Sequence, residues 1–98
     1  MLRMRVDHVV YAAEQDGARA TARRLADQLG VDPVDGGVHA RFGTRNFILP
    51  LADARYVEVV EVLEHPAAEK APFGQVVRAR SESGGGWLGW VIEVKDMA

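Results

Sequence analysis

The chain has 98 residues, 48% hydrophobic and 27% charged, with 12 basic and 14 acidic side chains and a net charge of −2. These values describe one small globular domain rather than a disordered chain, and the interspersed charges leave no basic patch for nucleic acid. The lack of cysteine excludes disulfides, thiolate metal sites and a cysteine nucleophile, and no apolar run suits a signal peptide or a membrane span, so a soluble, cytoplasmic protein is expected.

Residues 6–13 are short, apolar and β-branched and predict a first strand. Asp16 is placed to accept from the free amides of a first helical turn. Ala18, Ala22, Leu25, Ala26 and Leu29 follow at helical spacing, and Gly30 suits the left-handed position after a helix end. Together they predict a helix over 16–29. Arg19, Arg23 and Arg24 lie on its other face beside Asp16 and Asp27 and read as a solvated surface.

Residues 31–37 predict a loop, and Val38-His39-Ala40-Arg41-Phe42 a second strand. Gly43-Thr44 then makes a two-residue turn into a third strand at 45–51. Such a turn pairs Phe42 with Arg45 and His39 with Ile48, which gathers His39, Arg41, Asn46 and Ile48 on one face. Pro50 marks a strand that weakens, or lies at an edge or bulge. After a turn at 52–55, residues 56–63 predict the strongest strand. Tyr56, Glu58, Val60 and Val62 alternate there with Val57, Val59, Glu61 and Leu63, and Glu61 fits a place near the open end.

Residues 64–71 predict a connection and 72–80 a short helix, with Pro72 tolerated in its first turn. Three successive glycines make 81–86 flexible, and 87–94 predict a last strand. The order is β-α-β-β-β, short helix, β, an α+β fold. Residues 1–83 form the βαβββ module with its trailing helix, and 84–98 a glycine-rich linker with a terminal strand.

Strand side chains point alternately to opposite faces. His8, His39, Asn46 and Glu58 thereby share one face. Val9, Tyr11, Val38, Phe42, Phe47, Leu49, Val57 and Val59 take the other. One face is a core and the other a cup lined with imidazole, amide and carboxylate groups. Competing candidates carry less chemistry. Gly84-Gly85-Gly86 lacks the Lys-Ser/Thr of a phosphate loop, and Ser81 and Ser83 lack a His/Asp arrangement. His65 precedes Pro66 in a connection and reads as solvent-facing. Thr44 reads as turn chemistry, and Trp87 and Trp90 as packing at a junction.

Asp7-His8 early on the first strand, with Tyr56-Val57-Glu58-Val59-Val60 on the fourth, resembles the vicinal oxygen chelate superfamily of glyoxalase, bleomycin-resistance and dioxygenase proteins. Gly36-Gly37-Val38-His39, Phe42-Gly43-Thr44-Arg45-Asn46, Leu49-Pro50-Leu51 and Tyr56-Val57-Glu58, in that order, resemble the bacterial glyoxalase-like domain proteins. The resemblance spans residues 5–95. It implies a mostly antiparallel, curved sheet with a helix on one face, and a cup completed by two modules.

Metal-dependent members take a His from strand one and a Glu from strand four. Carried over, His8 and Glu58 are metal ligands, for Zn, Ni, Fe or Mn. Such an ion polarises adjacent substrate oxygens, and Glu58 acts as catalytic base in lyase or isomerase chemistry. His39, Asn46 and Arg41 then contact the small-molecule substrate. The alternative is a metal-free cup that sequesters a drug or metabolite, as bleomycin-resistance relatives do. His8 is then a hydrogen-bonded polar residue, and Glu58 a carboxylate satisfied by Arg41 or Arg45. A third possibility is a domain that only dimerises. Residues 87–96 resemble the opening strand of a second module, whose helix and other strands the chain lacks. A homodimer is therefore expected, with the last strand covering the open edge of the first.

Overall fold

The computed structural model describes residues 1–97. Strand β1 (Leu2–Ala12) is followed by helix α1 (Ala18–Leu29), strands β2 (Val34–His39) and β3 (Thr44–Pro50), a single 3₁₀ turn (Ala52–Ala54) and β4 (Tyr56–Val62). Helices α2 (Pro66–Lys70) and α3 (Pro72–Glu82) lead to β5 (Gly86–Asp96). The strands form one open sheet in the order β2-β3-β4-β1-β5. The β1–β4 pair is parallel and the β1–β5, β2–β3 and β3–β4 pairs are antiparallel. The fold is α+β with the expected βαβββ order, and β5 covers the open edge of β1. Among the described residues no helix is long and apolar enough to cross a membrane.

Helix α1 lies on one face of the sheet. Its buried alanines, Ala18, Ala22 and Ala26, pack on Phe47, Leu49, Val57 and Val59, and small side chains let the helix come close. Leu29, expected on that face, is 48% exposed because it falls in the last turn, beyond the sheet. The helix starts two residues later than expected, with Gly17 at φ 94° as its N-cap. Asp16 does not cap it. The Asp16 carboxylate is drawn to the Arg24 guanidinium at 2.5 Å, and the amide of Ala18 instead donates to Glu61 Oε1 at 3.0 Å. This explains a carboxylate on the helix side of β4. Gly30 adopts the expected left-handed conformation, at φ 71°.

The largest correction concerns β2. It begins at Val34 and ends at His39, so His39 pairs with Thr44, not Ile48, and Phe42 does not pair with Arg45. The connection is a four-residue turn closed on one carbonyl, with the amides of Phe42 and Gly43 donating to His39 O at 3.1 and 3.0 Å. Tertiary packing drives this. Phe42 leaves the strand to meet Phe73 of α3 edge to face, with ring centroids 5.6 Å apart. As an edge strand, β2 is exposed along its whole length, and Val38 is 64% exposed rather than part of the core. Pro50 ends β3 at a point that β2 does not reach.

The segment expected as a connection contains α2. His65 caps it by accepting from the amide of Ala67 at 3.0 Å, with Pro66 in the first turn. Helix α3 then crosses the opposite face of the sheet from α1. Val77 joins Val10, Ala12 and Val60 in a second apolar cluster, flanked by Val62, Phe73 and Leu88. The face expected to be an open cup is therefore roofed at one end and open at the other.

Candidate functional site

On the face that α3 partly roofs, the register places His8 beside Tyr56, Val10 beside Glu58 and Ile48 beside Glu58 from the other side. His8 and Glu58 are therefore diagonal neighbours on adjacent parallel strands, and Asn46 is the diagonal neighbour of Glu58 on β3. Long side chains reach across such diagonals. His8 Nε2 lies 3.4 Å from Glu58 Oε1, and the Asn46 amide donates to Glu58 Oε2 at 2.8 Å. The His8 and Glu58 side chains are only 13% and 15% exposed, so their interaction is poorly screened by water.

A bulge in β1 opposite β5, between Val6 and His8, brings Asp7 into the cluster. Its carboxylate holds His8 Nδ1 at 2.8 Å. The His8 ring also stacks on Tyr56, with centroids 4.5 Å apart and planes 7° from parallel. Burial pushes the Tyr56 hydroxyl above its ordinary pKa, and the charges of Asp7 and Glu58 add to the effect. Tyr56 thus remains a neutral phenol at neutral pH. With Nδ1 engaged by Asp7, Nε2 faces Glu58. A hydrogen-bond donor placed between them would satisfy both.

Asn46 is 5% exposed, and its Oδ1 is buried without a partner. That oxygen packs on the backbone of Gly36, where a Cβ atom would sit 1.9 Å away. The glycine makes room for the amide, and the amide orients Glu58. Beside Glu58 the surface hollows into a concavity of about 330 Å³, lined by Val10, Phe42, Phe73 and Val91 with His39, Thr44 and Glu58.

The structure thus brings together His8, Asn46 and Glu58, and sets His39 at the rim of the same hollow on an exposed edge strand. Arg41 is not beside them. It lies in the β2–β3 turn with its guanidinium 5.7 Å from the Phe42 ring, because the strand pairing that would have carried it to Asn46 does not form. Arg45 faces the α1 side, 3.4 Å from Asp35. Neither arginine satisfies Glu58, whose partners are His8 and Asn46. Three further residues belong to the site. Asp7 was adjacent to His8 in sequence, but only the bulge turns it inward. Tyr56 has the strand parity of Glu58, which was a usable signal. Phe73 comes from α3, and nothing in the sequence placed that helix over the sheet.

The donor set decides how a divalent ion would fit. His8 Nε2 and the Glu58 carboxylate converge, and Asp7 orients the imidazole as such ligands require. Among the described residues no third side chain joins them as a donor. The β5 residues beside His8 and Val10 are Val91 and Gly89, and among the described residues no group of three His, Cys, Asp or Glu side chains is arranged to hold a metal. Among the described residues, the donors at His8 and Glu58 are two rather than a full coordination set.

A family model described as a glyoxalase-like domain matches residues 6–98. No curated protein gives a significant match. Among solved structures, a chain described as a hypothetical protein from Staphylococcus aureus superposes with a TM-score of 0.63 at 19% identity. The alignment covers 97% of this chain and 38% of that one, so this chain spans well under half the length of its structural neighbour. At that identity the likeness shows the fold.

Proposed function

This chain belongs to the glyoxalase-like domain family, and from that premise we propose that its half-roofed cup binds a small, oxygen-bearing molecule with Glu58 as the principal acceptor. The observation that carries the reading is the convergence of His8 Nε2 and Asn46 Nδ2 on the two oxygens of Glu58, at 3.4 and 2.8 Å, at the edge of an apolar hollow. A carboxylate so held accepts a hydrogen bond from a ligand hydroxyl, and it is poised to take a proton from a carbon next to a carbonyl. His8, steadied by Asp7 and Tyr56, is the neighbouring group that shares or relays that proton. His39 reaches the ligand from the rim.

The metal-free form of this reading is favoured by the donor set. A metal-dependent lyase or isomerase needs at least one more ligand from outside the described residues.

Metal content and binding of a neutral diol test the proposal together. Untagged protein is expected to carry Zn, Ni, Fe and Mn well below one equivalent. It should bind 1,2-propanediol with shifts in the NMR signals of His8, Asn46 and Glu58, and Glu58→Gln should weaken that binding about tenfold. A full equivalent of one ion, lost in both His8→Ala and Glu58→Gln, would instead establish the metal-dependent form.

A further inference from the structure

The hollow beside Glu58 is lined by four apolar side chains, with the polar groups of His39, Thr44 and Glu58 completing it. Val10 comes from β1, Val91 from β5, Phe42 from the β2–β3 turn and Phe73 from α3. The two rings meet edge to face at 71°, an arrangement that leaves ring surface for a third aromatic group. At about 330 Å³ the hollow is at the small end of ligand pockets, which run from about 300 to 1,000 Å³. It suits one ring rather than a polycycle.

The wall is preformed. A Cβ at Gly74 would lie 2.7 Å from Ala68 O and 2.9 Å from Phe42 O, and one at Gly43 would lie 2.6 Å from Ala68 N. Two glycines thus let α2, α3 and the β2–β3 turn pack backbone against backbone, which fixes Phe42 and Phe73 before any ligand arrives. A wall that is already ordered loses little entropy on binding.

The charge of the polar side selects the other end of the ligand. Glu58 faces the hollow and Asp7 stands behind His8, 2.8 Å from its ring nitrogen. An anionic group placed there would meet the Glu58 carboxylate, whereas a hydroxyl donates to it. We propose that the cup selects neutral aryl compounds with hydroxyl groups on the carbons next to the ring, the ring seated against Phe42 and Phe73 and a hydroxyl on Glu58. This rests on the reading of Glu58 as the acceptor and adds the class of ligand.

Titration of the full chain with 1-phenyl-1,2-ethanediol and with 1,2-propanediol, followed by NMR, separates the two ideas. The aryl diol is expected to bind at least about tenfold more tightly, from the apolar area it covers. Phe73→Leu should shrink that preference to about threefold or less. Should that variant fold poorly, Val91→Phe fills the hollow from an exposed strand and is expected to abolish the preference. Equal affinity for the two diols, or a preference that survives both variants, overturns the ring subsite. Binding of both diols that is indifferent to Glu58→Gln overturns the acceptor reading, and failure of both diols to bind overturns the two together.

Discussion

Asn46 shows how much of the site depends on the absence of a side chain. Its amide donates to Glu58 from one end, while the other end is pressed onto Gly36, where a Cβ would come within 1.9 Å. A methyl group there must push the amide aside, because two non-bonded heavy atoms cannot approach so closely. Gly36→Ala is therefore expected to weaken 1,2-propanediol binding about as much as Asn46→Ala, with a stability loss of about 1 kcal/mol by urea unfolding. A Gly36→Ala protein that binds like the wild type would show that Asn46 does not orient Glu58. A second polar network holds the start of α1, away from the site. The Tyr11 hydroxyl and Arg24 hold the Glu14 carboxyl below its ordinary pKa, and the hydrogen bond to Glu14 in turn pushes the Tyr11 hydroxyl up.

Among the elements, α2 and α3 decide the character of the cup. They turn an open sheet face into a hollow with one apolar end, and they do so through close backbone contacts at Gly43 and Gly74. Gly74 faces two carbonyl oxygens that have no freedom to move, so Gly74→Ala is expected to cost about 1–3 kcal/mol as an overpacking substitution. The urea midpoint reads this directly. No loss of stability would mean that α3 is free to shift, and the hollow would then not be preformed. At α1, Glu61 supplies from β4 the cap that the helix's own N-terminus lacks.

At the scale of the whole molecule, the informative feature is where the sheet runs out. Strand β1 pairs with β4 only over His8–Ala12 but with β5 from Leu2 onward. The outer halves of β1 and β5 therefore form a two-stranded ribbon beyond the rest of the sheet. Cross-strand pairing puts Met4 beside Val94 and Val6 beside Ile92, and Met4, Ile92 and Val94 are 67%, 47% and 54% exposed. An isolated two-stranded ribbon is marginally stable, and an uncovered apolar face favours association. We propose a homodimer through this face, since β5 already occupies the edge of β1. Light scattering at micromolar concentration is expected to give twice the chain mass, and Ile92→Lys the single mass with the fold retained by circular dichroism. A monomeric wild type would refute the dimer.

Residue order alone determined the α+β class, the strand order along the chain, the left-handed Gly30 and the shared face of His8, Asn46 and Glu58, because strand parity is a local property that the backbone enforces at each peptide. It could not reach the length of the β2–β3 turn, the position of Arg41, the capping of α1 by Glu61 rather than Asp16, or the roof over the cup. Each of those is settled by contacts between residues far apart in the chain: Phe42 with Phe73, Ala18 with Glu61, Gly43 with Ala68. Tertiary contacts outweigh local turn and cap preferences there, the Phe42–Phe73 ring contact at the turn and the Glu61 carboxylate at the start of α1. The sheet face of the Glu58 carboxylate was legible from strand parity, and the partners that hold it became visible only when three strands were laid side by side.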